Sequence, residues 1–114
     1  MILSITHLKL KSAWKIFPFM SSTAKIIKQL DKSAVVDFKS NSTLKNHYTM
    51  SLWDSEKDMR DFYVNGEHAK AMKGASKIAA EIKTIHFEAD AFLSWKDAKN
   101  EVDNKGKTIE YKES

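Results

Sequence analysis

The stretch HYTMSLWDSEKDMRDFYVNGEHAKAM, His47–Met72, decides the fold. It opens with alternation. Tyr48, Met50 and Leu52 point one way and His47, Thr49, Ser51 and Trp53 the other, the period of a β-strand. Ser55 is placed to cap a helix, with Asp58 as a short-armed partner acid three residues on. Met59, Phe62 and Tyr63 give that helix an apolar face. Asn65-Gly66 breaks it, because these residues most readily enter the left-handed conformation that ends helices. A second helical piece is expected from Glu67 to about Glu81, with His68, Met72, Ala75, Ala79 and Ile82 on one stripe. A histidine directly after a helix break is therefore the feature to explain.

Working outward toward the N-terminus, Ala34–Ser40 reads as a strand with Ala34, Val36 and Phe38 on one face. The loop NSTLKN joins it to the strand that begins at His47. Pro18 cannot sit inside a helix without losing a hydrogen bond and clashing with the preceding turn. Ser12–Phe17 is thus expected as a separate turn, with the main helix starting near Pro18 or Ser21. Met20, Thr23, Ile27 and Leu30, with Ile26 beside them, form its buried stripe. Ile2–Leu10 is the first strand, with Ile2, Ser4, Thr6, Leu8 and Leu10 on one side and Leu3, Ile5, His7 and Lys9 on the other. Toward the C-terminus, KTIHFEA is the fourth strand, with Ile85 and Phe87 opposite Thr84, His86 and Glu88. SWKDAKNEV is a short helix capped by Ser94, with Trp95, Ala98 and Val102 on one stripe. TIEYKES adds a strand or stays loose.

The order βαββαβ is the ferredoxin-like α+β fold, an antiparallel sheet with both helices on one face. A short C-terminal helix is appended. The expected division is a domain over 1–92 and a C-terminal helix and tail over 93–114. The opposite sheet face would be bare, yet Leu3, Ile5 and Val35 give it apolar character that needs a cover. A second copy is the simplest cover, so a homodimer with two sheets face to face is expected.

Composition limits the function. The 114 residues are 42% hydrophobic and 30% charged, the balance of one ordinary globular domain. The absence of cysteine excludes disulfides and thiolate metal sites. The net charge of +4 comes from lysines interleaved with acids, as in Glu56-Lys57-Asp58, and Arg60 is the sole arginine. That pattern argues for a solvated face, and against a nucleic-acid partner or an anionic-membrane patch. No apolar run approaches the roughly 20 residues of a spanning helix, so no membrane insertion is expected. The start, MILSITHLKLKS, lacks the pattern of a secretory signal, and a cytoplasmic location is expected. Gly66, Gly74 and Gly106 are too far apart for a phosphate-binding loop, and neither His-Glu-x-x-His nor a nucleophile elbow occurs.

Four histidines carry the titratable chemistry. His68 sits at a helix start, which disfavours its protonated form and suits a neutral base or acceptor. The alternative is a histidine that merely hydrogen-bonds a loop carbonyl. His7 lies late on the first strand, and His47 and His86 lie early on the third and fourth. These three could converge at one end of the sheet and hold zinc, copper or iron, although strand parity does not show that they share a face. Trp14, Phe17 and Phe19 form an aromatic cluster that either plugs the core or lids an apolar pocket.

The His47–Met72 stretch, with FEAD at 87–90, resembles the antibiotic-biosynthesis-monooxygenase-like proteins of the dimeric α+β barrel superfamily over roughly residues 1–90. The resemblance implies a pocket between sheet and helices that holds a small apolar or aromatic compound. It would be lined by Trp14, Phe17, Phe19, Trp53, Phe62 and Met72. His68 would abstract an acidic proton, so that the substrate anion reacts with oxygen without a cofactor. Haem-degrading members carry a tryptophan and a ligating histidine where this chain has Phe62 and Met72, which argues against haem degradation. Non-catalytic ligand binding or a stress-response role in the same pocket is the alternative, as is a haem- or metal-dependent relative. A weaker likeness, carried by WKIFPFM, is to carotenoid-oxygenating proteins of the same fold.

Overall fold

The structure, a computed structural model, describes residues 1–111. Strands β1 (Ile2–Leu10), β2 (Val35–Ser42), β3 (Asn46–Trp53), β4 (Ala79–Glu88) and β5 (Lys107–Glu110) form one sheet in the order β2-β3-β1-β4-β5. All pairings are antiparallel. A 3-10 turn at Ala13–Lys15 precedes α1 (Ile16–Asp31). Helices α2 (Glu56–Tyr63) and α3 (Gly66–Ile78) follow β3, and α4 (Trp95–Lys105) follows β4. This is the expected ferredoxin-like α+β architecture.

The register sorts β1 into two faces with opposite chemistry. Leu3 lies between Leu52 and Phe87, and Ile5 between Met50 and Ile85. These residues point to the outer face, where Leu3, Ile5 and Met50 are fully buried against Ala98 and Val102 of α4. Ser94 caps α4 by accepting the Asp97 backbone N–H at 3.2 Å. In the segment expected as a C-terminal helix and tail, α4 packs over the sheet and β5 joins its edge beside β4; residues 112–114 lie outside the described residues. The outer face expected to need a second copy is covered by the chain's own α4. Beyond that cover, β2 turns Asp37, Lys39 and Asn41 outward, which needs no apolar partner. Each buried aliphatic side chain contributes roughly 1.5–3 kcal/mol. Lifting α4 would thus cost on the order of 10 kcal/mol, comparable to the stability of a whole domain. It is part of the core and not a detachable lid.

A polar clasp fixes α4 at its C-terminal half. His7 Nδ1 donates to Asp103 Oδ1 at 2.7 Å, and Tyr48 donates its hydroxyl to Asp103 Oδ2 at 2.8 Å. The two rings stack at 4.0 Å, and His7 Nε2 contacts the Asn46 side-chain amide at 2.9 Å. Burial first, then the Asp103 carboxylate, raise the Tyr48 phenol above its ordinary range, so it stays a donor.

Several boundaries differ from the sequence expectation. α1 begins at Ile16, so Pro18 lies in its first turn, where a missing N–H breaks no intrahelical bond. Met20 and Ile27 are then largely exposed, and Leu30 is the buried anchor. A bulge between Val35 and Asp37 turns Val36 outward while Val35 and Phe38 pack inward. β4 starts at Ala79 and α3 stops at Ile78, because Ala79 pairs with Leu10 and Ile82 with Leu8.

Asp103→Ala removes the shared acceptor and leaves the Tyr48 hydroxyl and His7 Nδ1 unpartnered in a mostly buried site. A loss of about 2 kcal/mol in unfolding free energy is expected, read from the urea midpoint at unchanged slope. Lys105→Ala, on the exposed side of α4, should change it by less than about 0.5 kcal/mol.

Candidate functional site

The inner face of the sheet is floored by small hydroxyl side chains. Thr49, Thr6 and Thr84 lie side by side across β3, β1 and β4, and Ser51, Ser4 and His86 form the next row. These short side chains leave space that the helices above do not fill. A cavity of about 520 Å³ remains beneath them, within the range of small-molecule sites. Its roof is apolar, with Ile26 and Leu30 from α1, Met59 and Phe62 from α2, and Met72 and Ala75 from α3.

Both ends of the cavity are defined. At one end the floor changes from hydroxyls to Trp53, which is fully buried and packs against Phe62 at 5.4 Å between ring centroids. Trp53 donates its indole N–H to Ser51 Oγ at 2.9 Å. Tyr63 stands beside it, with its hydroxyl 2.6 Å from Ser4 Oγ. At the other end His47 and Leu8 are paired on the floor and Phe19 lies 4.2 Å from the His47 ring. From Ser4 to Leu8 is four residues of strand, roughly 13 Å.

His68 is held at the first end by the helix break. Gly66 has φ +60°, and a Cβ there would sit 3.2 Å from the Gln29 side chain. Gln29, on α1, clasps the break: its Nε2 donates to the Phe62 carbonyl at 3.1 Å and the Asn65 carbonyl at 2.9 Å. Its Oε1 accepts the His68 backbone N–H at 2.9 Å. Asn65 donates its side-chain N–H to the Asp61 carbonyl at 2.7 Å and so closes the end of α2. Ser55 starts α2 as expected, accepting the Asp58 N–H at 3.2 Å.

The His68 ring donates through Nδ1 to the Tyr63 carbonyl at 3.2 Å, which fixes the tautomer with an unprotonated Nε2. Among the described residues Nε2 meets no hydrogen-bond partner, and the His68 side chain lines the cavity. Burial pushes the imidazole below its ordinary 6.5; the Tyr63 carbonyl opposes this but is the smaller effect. His47 is shifted the same way, by burial first, against the Leu44 carbonyl that its Nε2 meets at 3.2 Å. A neutral imidazole thus stands at each end of the cavity.

The sequence-derived lining is sorted by the structure. His68, Phe19, Phe62 and Met72 line the cavity. Trp53 backs its end wall. Trp14 and Phe17 are exposed and meet only each other among the aromatic rings, because α1 starts early and turns them outward. His7, His47 and His86 do not converge: His7 points to the outer face and His47 to the inner one, while His86 pairs beside Ser4, two rows from His47. The earlier start of β4 moves His86 away from the strand's beginning. Among the described residues no group of three His, Cys, Asp or Glu side chains suits a metal ion. His86 Nε2 instead meets Glu56 at 3.3 Å, and Glu56 also accepts from Arg60 at 3.0 Å. Sequence inspection missed Gln29, whose role depends on contacts 33 to 39 residues away. The hydroxyl rows were visible as alternation in three strands.

Comparison with solved structures places this arrangement. The chain has the protomer fold of the antibiotic-biosynthesis-monooxygenase-like proteins. It superposes on a protein from Deinococcus radiodurans proposed to be an antibiotic biosynthesis monooxygenase, with TM-score 0.70, 14% identity and coverage of 82% of this chain and 97% of that one. A conserved protein from Methanosarcina mazei Go1 matches with TM-score 0.70 and 12% identity over 78% of this chain and 92% of its own. A cofactor-independent oxygenase from Streptomyces nogalater matches with TM-score 0.64 and 9% identity over 81% and 95%. No protein-family model matches the chain, and no curated protein matches it in sequence. At these identities the likeness is one of fold. No helix among the described residues is long and apolar enough to cross a membrane.

Gly66→Ala should lower the unfolding free energy by about 1–2 kcal/mol, because alanine at positive φ is strained and its methyl crowds Gln29. Gly74→Ala is the control: a Cβ there meets nothing within 4 Å, and replacing a helix-interior glycine should be neutral or stabilising. Thermal or urea unfolding of the two variants checks the pair.

Proposed function

We propose that this protein is a cofactor-independent oxygenase of a small apolar or aromatic compound, bound in the cavity between the sheet and α1–α3. The observation that carries this reading is His68: a half-buried imidazole, kept neutral by desolvation and fixed in one tautomer by the Tyr63 carbonyl, in the lining of the cavity. A base of this kind matches an acidic C–H or O–H flanked by an aromatic system. Nε2 takes the proton and leaves a delocalised anion. The hydroxyl floor donates hydrogen bonds to the oxygens on which that charge rests. The anion passes one electron to O₂, and the two radicals join as a peroxide. For a methylene carbon, loss of water from the peroxide leaves a carbonyl, so that CH₂ and O₂ become C=O and H₂O. The apolar roof excludes water from the anion.

A non-catalytic binder would use the same cavity, and the two readings differ only in turnover. The expected homodimer also belongs to this proposal, although the cavity lies within one protomer and α4 already covers the outer face. A second copy would therefore meet the exposed edges of the sheet, β2 and β5.

His68→Ala separates catalysis from binding. It should lower kcat at least a hundredfold for a turned-over aromatic substrate, with the dissociation constant changed less than about fivefold. Equal turnover in the variant would remove His68 from the role of base. Since burial lowers the His68 pKa, the base form persists below pH 6.5, and the acid limb of the kcat profile should fall below that value. The same shift makes the folded protein lose stability as pH drops below 6.5, where the unfolded histidine takes up its proton first, until the pH passes the folded value.

A further inference from the structure

The net charge of the chain is not spread evenly. Residues 1–30 hold five lysines (Lys9, Lys11, Lys15, Lys25 and Lys28) and no acidic residue; the first acid is Asp31. The remaining 84 residues hold 14 basic and 15 acidic side chains. The interleaving of lysines with acids thus describes the chain from Asp31 onward and not the N-terminal quarter.

The same segment carries the largest exposed aromatic surface. Trp14 is 79% exposed, Phe17 68% and Met20 57%. They follow one another at intervals of three, with Ala24 continuing the row along α1. This row is distinct from the inward one formed by Phe19, Ile26 and Leu30. The turn between β2 and β3 lies at the same end of the molecule. Leu10 donates its N–H to the Lys45 carbonyl at 2.9 Å, and Leu44 in that turn is 58% exposed. Trp14, Phe17, Met20 and Leu44 are exposed, and Lys11, Lys15 and Lys45 are their near neighbours along the chain, so this end is both greasy and cationic. A second copy of the chain is a poor partner for this surface, since the same lysines would face one another. Lysine without arginine also fits poorly to bidentate reading of bases or phosphates.

We propose that the 3-10 turn and α1 form a docking surface for an anionic lipid bilayer, with Trp14, Phe17 and Met20 seated in the headgroup region and the lysines above the phosphates. Tryptophan and phenylalanine on one side with lysine on the flanks is the pattern of a segment that lies on a membrane without spanning it. The surface adjoins the cavity through Phe19, which lies between Phe17 and Met20 in sequence and closes the cavity end beside His47. An apolar compound dissolved in the bilayer would meet the protein at that end. The proposal stands whatever the cavity binds.

The test is flotation of the full chain with phosphatidylcholine vesicles containing about one-third phosphatidylglycerol, against pure phosphatidylcholine vesicles. Binding is expected only to the anionic vesicles, and it should be lost near 1 M salt, where the Debye length falls to about 3 Å. A Lys11→Glu, Lys15→Glu variant and a Trp14→Ser, Phe17→Ser variant should each weaken partition at least tenfold. Trp14 and Phe17 are exposed and Lys11 and Lys15 are half-buried, and unaltered circular dichroism of both variants is the check that the fold is kept. The proposal is overturned by failure to float with anionic vesicles at low salt, or by unchanged partition in both variants. Retention of a nucleic-acid duplex in place of vesicles also overturns it, as does a dimer that the Trp14→Ser, Phe17→Ser variant dissociates.

Discussion

The alternation of β1 and its two neighbours is the constraint from which the rest of the architecture follows. A strand sends successive side chains to opposite faces, and here the two faces differ in bulk. Leu3, Ile5, Met50 and Leu52 crowd the outer face; Ser4, Thr6, Thr49, Ser51 and Thr84 leave the inner face low. The bulky face can be sealed by one short helix with Ala98 and Val102 at its contact, and α4 does so. The low face cannot be sealed by α1–α3, whose apolar side chains stand over a floor they do not fill. The hollow is thus a product of residue volume on one side of three strands.

That hollow would collapse or flood without its end walls. Trp53 replaces the hydroxyls in the last row and carries Phe62 and Tyr63 above it. The helix break then positions His68 against Tyr63, with the rings 4.6 Å apart. Gln29 holds the break by three hydrogen bonds from another helix, so the placement of one imidazole is tied to the packing of α1. The break in the His47–Met72 stretch is therefore a mounting for His68. A continuous helix would have spent the Tyr63 carbonyl on its own ladder and left the imidazole without the acceptor that fixes its tautomer.

What was legible in the sequence was local. The faces of β3, the Ser55 cap and the Ser94 cap all follow from spacings of two to four residues, and the structure agrees with each. The limits of α3 and β4 were not legible, because Ala79–Ile82 continues a helical stripe in sequence. Its conversion to strand comes from pairing with Leu8 and Leu10, about seventy residues earlier. The helical stripe of Trp95, Ala98 and Val102 was visible, but its destination was not. A stripe shows that a helix must bury a face and does not say against what, so the outer face was assigned to a second copy. The histidines divide in the same way: parity leaves their relative faces open, and only the register separates His7 from His47 and sets His86 apart from both.

The central claim is that the inner face has empty volume over the threonine row, and the melting temperature of Thr6→Leu tests it most directly. Thr6 lies at the middle of that row, between Thr49 and Thr84. If the space above it is open, the added methyl groups enter an apolar roof without moving it, and Tm rises by roughly 3–6 °C. If the helices already rest on the floor, the larger side chain overpacks the site, at a cost of about 1–3 kcal/mol. A fall in Tm would contradict the account.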